Sequence, residues 1–287
     1  MLFLVYAILS TGFILFVLKT IGVPISPTQC VVIIVGWVLY CVGVGPYVSA
    51  HYLFRHSKLR MPTLEEEKLI DSLFLEVQQR TLFTNPVRLW ISEESGLEAF
   101  AAGSRTIAIS KGMLKIMTHD EIKGIMAHEL GHLESWDCRI GAAYITAMKL
   151  TGLIWRPFTI VQSKIRKRFI LLFAVIGFLY FVYVYPASKT THTLPLIIVF
   201  CFILVFPLFR RLNDFCWFVV SRFREYRQDA FAFSIGYGQN LLDALIKSTL
   251  DGDMPVNRYQ NLMKGSHPII YNRIRRLEKL LGLRDQD

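Results

Sequence analysis

The chain has little from which to build a disulfide framework. Its cysteines, Cys30, Cys41, Cys138, Cys201 and Cys216, are odd in number, form no CxxC pair and lie mostly in or beside apolar runs. That argues against a stapled scaffold and against a thiolate metal site, and leaves cysteine as a small hydrophobe. No internal repeat or low-complexity tract is present. The first apolar run has no basic segment before it and no clear small-residue cleavage site after it, so a retained helix is expected rather than a signal peptide. Asp, Glu, Lys and Arg are missing altogether from four long stretches, Met1–Leu18, Cys30–Ala50, Phe169–Ala187 and Thr190–Phe209. Each has about the length a helix needs to cross a bilayer, ~20 residues.

What is there supports the same reading. Hydrophobic residues make up 53% of the 287 residues, and the mean hydropathy is +0.40, more apolar than an ordinary soluble domain. The net charge of +10 is concentrated at particular places. Arg55, Lys58 and Arg60 follow the second run, Lys164, Arg166, Lys167 and Arg168 precede the third, and Arg210 and Arg211 follow the fourth. The segments between runs 1 and 2 and between runs 3 and 4 carry only Lys19 and Lys189. This is the positive-inside pattern. It places the N-terminus, the 55–168 region and the tail in the cytosol, with anionic lipid rather than nucleic acid as the partner of the basic face.

The expected organisation is two transmembrane helices in 1–54, a cytosolic region in 55–168, two further transmembrane helices in 169–209 and a second cytosolic region in 210–287. The fold class is α+β, mainly α. Pro62-Thr63-Leu64-Glu65-Glu66 reads as a helix start, with Thr63 capping and Glu66 reaching back, and the helix runs to about Gln79. Val87–Ser92, Leu97–Gly103 and Arg105–Ser110 read as short strands, turning at Gly103-Ser104, and suggest a small antiparallel sheet. A peptide adding to a free edge of the 105–110 strand would lie extended beside the next helix. Residues 140–156 fit either a cytosolic helix or the lead-in to the third span.

That next helix opens with a second capping box, Thr118-His119-Asp120-Glu121, and carries Met126-Ala127-His128-Glu129-Leu130-Gly131-His132. Residues four apart share a helix face, so His128 and His132 can aim imidazole nitrogens at one ion, and Glu129, one position round, can reach a water on it. A catalytic zinc site needs a third protein ligand and one open position. Glu225, in Arg224-Glu225-Tyr226-Arg227-Gln228-Asp229, is the candidate, on a helix expected to continue from the fourth run. Asp229, four residues on, is placed to accept the free N–H of a ligating histidine. The competing reading makes Glu225 and Asp229 partners of Arg222, Arg224 and Arg227 on a solvated helix.

His-Glu-x-x-His followed by Glu-x-x-x-Asp resembles the zinc peptidases called gluzincins. The wider arrangement is similar to the HtpX-type membrane proteases, relatives of the CAAX prenyl endopeptidases. Glu98-Ala99-Phe100-Ala101-Ala102-Gly103 fills the place of that family's N-A-F-A-x-G strand motif, with Glu98 where the family has Asn. Asp137 matches the family too. Ser266-His267-Pro268 with Arg273 is similar to its C-terminal His-Pro element, and the resemblance implies that His267 faces the substrate and stabilises the oxyanion. Read without the resemblance, a histidine before proline is a turn residue.

The resemblance implies one Zn2+ per chain, held by His128, His132 and Glu225. It implies an integral-membrane endopeptidase in a bacterial inner membrane, acting on damaged or misfolded membrane proteins at the cytosolic face, with Glu129 as general base, and self-cleavage besides. Two rival readings are a CAAX-type prenyl-protein peptidase, which encloses a larger chamber with more spans, and a non-catalytic membrane adaptor with a structural zinc.

Overall fold

The computed structural model describes residues 11–12, 15, 23–47, 51, 58–103, 105–148, 175, 179, 206–250 and 270–283. The chain falls into two compact units, Met1–Cys41 with Tyr144–Trp217, and Val42–Ala143 with Phe218–Asp287. In the first, the rings of Tyr144 and Trp217 stack at 3.9 Å. Helix α1, Pro27–Gly43, carries the second apolar run and has no acidic residue in its first turn and no basic residue in its last. Its 17 residues span roughly 25 Å against a hydrocarbon core of ~30 Å. Among the described residues no helix is long and apolar enough to cross a membrane. The first, third and fourth runs lie outside the described residues, apart from 11–12, 15, 175, 179 and 206–209.

The second unit begins with β1, Leu59–Arg60, and α2, Leu64–Gln78. Thr63 and Glu66 form both halves of the expected capping box. Arg60 clamps the Glu66 carboxylate through two hydrogen bonds of 2.6 and 2.7 Å, which hold its pKa down at about 2. Strands β2 (Arg88–Ser92), β3 (Ala99–Ala102) and β4 (Thr106–Ser110) follow where the alternation placed them.

Their order corrects the expected antiparallel sheet. The sheet is mixed, in the order β1-β2-β4-β3. β4 runs parallel to β2 and antiparallel to β3. The burial of β4 gives the reason. Ile107 and Ala108 are fully buried and Ile109 is 1% exposed, so β4 is apolar on both faces and belongs at the centre. The segment 93–98 is long enough for β3 to pass to the outside and return through a turn at Gly103, where φ is +62° and glycine carries no steric cost. β4 therefore has no free edge to offer a peptide; among the described residues the edge strands are the two-residue β1 and the longer β3.

Beyond the sheet come α3 (Lys111–Ile116), α4 (His119–Glu134), a helical segment over 137–148, α5 (Phe206–Ser234), α6 (Gly238–Leu250) and α7 (Ile270–Leu280). α4 sits at the middle of the core. Ile122, Met126 and Leu130 on it pack with Ile70 and Val77 of α2, Ile107 and Ile109 of β4, Leu241 of α6 and Leu277 of α7. Gly124 lets α6 approach, since a Cβ there would stand 2.4 Å from the Leu241 backbone nitrogen.

Candidate metal centre

Helix α4 is held at its start by local chemistry. The Thr118 side chain accepts from the Glu121 N–H and the Glu121 carboxylate accepts from the Thr118 N–H, while Lys247 of α6 pairs with Glu121 at 2.7 Å. A helix so fixed presents His128 and His132 one turn apart, ring centroids 4.9 Å from each other and edge to face. α5 closes over this face because the spacer residue Gly131 has no side chain. A Cβ on Gly131 would meet Gln228 Oε1 at 2.5 Å and Phe231 Cδ1 at 2.8 Å.

The approach brings Glu225 to the two imidazoles. His128 Nε2 lies 3.4 Å from Glu225 Oε2, and His132 Nε2 lies 3.4 Å from Glu225 Oε1. One donor atom from each of the three residues falls within 4.8 Å of the others. Each Nδ1, on the far side of its ring, faces a carboxylate: Asp229 Oδ1 at 2.9 Å from His128 and Asp137 Oδ2 at 3.5 Å from His132. With Nδ1 committed to a carboxylate, Nε2 is the nitrogen available to an ion.

The residues fit a divalent metal. Ligands on a tetrahedron with ~2.0–2.1 Å bonds stand about 3.3 Å apart, and each Nε2 lies near that distance from one of the two Glu225 oxygens. Two imidazoles and one carboxylate are the donor set of catalytic zinc sites with an open fourth position. His128 is 4% exposed, Glu225 5% and Asp229 0%. That burial rules out the reading of Glu225 and Asp229 as ion-pair partners on a solvated helix.

The surrounding charges were not legible in the sequence as a network. Arg273 of α7, 8% exposed, grips Asp229 with two bonds, Nε to Oδ2 at 2.9 Å and Nη2 to Oδ1 at 2.6 Å. Its Nη1 is 3.5 Å from Glu225 Oε2, and its Nη2 is 3.2 Å from His128 Nδ1. Asp137 is held by Arg227 Nη2 at 2.7 Å, Arg224 Nε at 3.0 Å and Gln228 Nε2 at 2.7 Å. Gln228 also donates to Ser135 Oγ at 2.9 Å. Trp136, with φ at +63°, turns the chain between α4 and the 137–148 segment so that Asp137 meets this group. Arg224, Arg227 and Gln228 recur at helical spacing on α5, the one signal in the sequence that could have revealed them.

Burial is the largest influence on the histidines and would lower their pKa values. The carboxylates outweigh it. Asp137 and Glu225 push His132 up to about 9, and Asp229 and Glu225 raise His128. Asp229 is likewise penalised by burial, yet the Arg273 charge and the His128 hydrogen bond bring it down to about 2. The carboxylates thus make the pocket favourable to positive charge, and a metal taken up there must displace the protons they hold on the two imidazoles. Glu129, also buried at 8%, sits on α4 between the two histidines. Glu98 is tied through its backbone, its carbonyl accepting from Ser110 N–H at 2.8 Å. His267, with Ser266 and Pro268, lies outside the described residues.

The sequence pattern of Peptidase family M48 matches residues 65–281, a stretch that includes every residue of this centre. The chain belongs to peptidase family M48. This family implies a metal cofactor, in keeping with the three converging side chains. Among curated proteins the chain is similar to a protein named Protease HtpX homolog from Dictyoglomus thermophilum, 26% identical over 257 residues, covering 82% of this chain and 77% of that one. A Protease HtpX homolog from Neisseria meningitidis is 28% identical over 239 residues, covering 76% and 74%. One from Thermoplasma acidophilum is 37% identical over 97 residues, 32% of this chain and 30% of that protein. The solved structure of S. mikatae Ste24p shares the fold with a TM-score of 0.52 at 22% identity, over 93% of this chain and 61% of that one. The resemblance to HtpX-type proteases drawn from the motifs therefore holds, and the M48 fold is mainly helical with a small mixed sheet.

Proposed function

We propose that this M48 member is a membrane-bound zinc endopeptidase that cuts extended segments of membrane or misfolded proteins at the cytosolic face. The observation that carries the proposal is the convergence of both Nε2 atoms on the Glu225 carboxylate, with each Nδ1 backed by its own carboxylate. His128, His132 and Glu225 would hold the ion. A bound zinc lowers the pKa of a coordinated water to about 7 and polarises a carbonyl. Glu129, beside the ligands, takes the proton of the attacking water and returns it to the leaving amine. Asp229 and Asp137 hold the imidazoles in one tautomer, and Arg273 keeps Asp229 ionised and in place. His267 is assigned to the developing oxyanion on the strength of the resemblance.

The substrate lies along β3. That strand is at the sheet edge and packs beside α4. Ser110 N–H donates to Glu98 O, so by antiparallel alternation 98, 100 and 102 face β4 while the N–H and C=O of Ala99 and Ala101 point to the open edge. A peptide paired there is held extended by main-chain bonds, which suits unfolded segments of varied sequence. By the same reading the location is a bacterial inner membrane, and the role is protein quality control under stress.

The test is to purify wild type and Glu129→Gln, measure bound zinc, and follow degradation of an unfolded protein. Glu129→Gln is expected to keep its zinc and lose about 10²–10⁴-fold in rate. A zinc-replete wild type that cuts nothing, or a Glu129→Gln protein that cuts equally well, rejects the enzyme reading in favour of a non-catalytic zinc adaptor. Against the adaptor stands the ligand count, since structural zinc sites take four protein ligands and three converge here among the described residues.

A further inference from the structure

Away from the metal centre, the turn between β3 and β4 borders a cavity of about 630 Å³. Arg88, Arg105 and Arg139 line it, together with Val42, Pro46 and Tyr47 from the end of α1 and the residues after it. Among the described residues no Asp or Glu lines it. Among the described residues none of the three guanidiniums pairs with a carboxylate, in contrast to Arg60, Arg224, Arg227 and Arg273. Arg139 lies over the Trp136 ring at 4.4 Å, and a guanidinium on an aromatic face can still donate from its N–H groups to an anion. Three like charges around one cavity repel unless an anion neutralises them, and the guanidinium fork matches phosphate oxygens.

The apolar half of the wall says where that anion comes from. Val42, Pro46 and Tyr47 belong to the charge-free run Cys30–Ala50, and Val42 is exposed. Tyr47 is 78% exposed. Tyrosine after an apolar helix, followed by arginines, is the order of residues met on passing from hydrocarbon to headgroups. We infer that this cavity binds the phosphate headgroup of an anionic phospholipid. The inference rests on the membrane reading given above. It gives the basic side of the chain a defined binding site in place of a diffuse attraction to the bilayer, at the end of β3 where the substrate strand passes.

The probe is dihexanoylphosphatidylglycerol below its micelle concentration, added to the full-length, zinc-loaded protein in neutral detergent, with thermal unfolding as readout. Wild type should be stabilised in a saturable way. The midpoint should weaken about 5-fold for each of Arg88→Gln, Arg105→Gln and Arg139→Gln, and on the order of 100-fold for the triple variant. A matched variant, Lys68→Gln with Lys115→Gln and Arg275→Gln, removes equal charge from exposed positions elsewhere and should respond as wild type does. An unchanged midpoint in the cavity triple variant, or equal loss in the matched variant, overturns the site. Inorganic phosphate, or a soluble Glu-rich peptide, giving the same stabilisation as the lipid at equal concentration overturns the lipid as its source. Alkaline carbonate extraction of membranes separates the two readings. Release of wild type refutes the membrane reading and the lipid source with it, whereas retention with an unaffected triple variant refutes the site alone.

Discussion

Replacing Gly124 by alanine sets two effects of opposite sign against each other. Gly124 is inside α4, one turn before His128. On helix propensity alone, Gly→Ala should stabilise by about 1 kcal/mol. The packing predicts the reverse. A Cβ at this position would stand 2.4 Å from Leu241 N, 2.6 Å from Asn240 C and 2.8 Å from Leu241 Cα. All three are main-chain atoms of α6, so no rotamer change can relieve the overlap, and the helices must part by roughly 1 Å, with an overpacking cost of typically 1–3 kcal/mol. The surroundings cannot give, because Met126 is fully buried and Ile122 and Leu241 are each 1% exposed. Taking the upper half of that range against the propensity gain leaves a net loss of about 1–2 kcal/mol, or a Tm lower by about 2–8 °C for a protein of this size. Circular dichroism melts of chelated and zinc-loaded protein measure the first effect. The second is on the site, where a displacement near 1 Å exceeds the ~0.5 Å tolerance of a metal constellation, so zinc competition with a chelator should show at least tenfold weaker binding. A Gly124→Ala protein that melts higher than wild type would refute the close approach of α4 and α6 and the reasoning built on it.

Gly131→Ala should behave differently, because its Cβ would meet the side chains of Gln228 and Phe231 rather than backbone. Its melting temperature should stay near that of wild type while zinc affinity drops about 10-fold, as Gln228 is pushed off Asp137; unchanged affinity in chelator competition would show Gln228 to be irrelevant. Arg273→Ala leaves buried Asp229 with His128 as its remaining charged partner and should cost about 3 kcal/mol in urea unfolding, and Arg273→Lys should not restore it because the grip is bidentate; full rescue by lysine would contradict the geometry. In the chelated protein, His132 has a raised folded pKa of about 9, so its stabilisation is complete below the unfolded value of ~6.5 and is lost as pH rises through about 9. Melts of metal-free protein should therefore fall from pH 6.5 to 9 while those of zinc-loaded protein do not, and parallel profiles would refute this. Ala101→Pro removes an outward N–H of β3 without touching the β4 ladder; kcat/KM should fall 10-fold or more with zinc content and Tm retained, and wild-type cleavage would move the substrate elsewhere.

How far the sequence reached depends on the range of each interaction. The two capping boxes at Thr63 and Thr118 close within three residues, and the structure has both. The i, i+4 pairs His128/His132 and Glu225/Asp229 follow from helix geometry alone, and their pattern is specific enough to associate the two pairs from sequence. The alternation of 88–92, 99–102 and 106–110 located the strands to within two residues. Strand order did not follow, since alternation says which face a residue takes and nothing about which neighbour a strand selects. The decision lay in the burial of β4 on both faces, a property of the packed molecule, and it moved the open edge from β4 to β3. The outer charges are of the same kind. Arg273 reaches Asp229 from 44 residues away, and Gln228 reaches Asp137 across 91, distances over which no local rule operates. The residues that can take a metal were thus determined by the sequence through the pitch of a helix, whereas the groups that hold them, and the place of β3 at a sheet edge, were decided only when the helices and sheet closed on one another and excluded water from the charges between them.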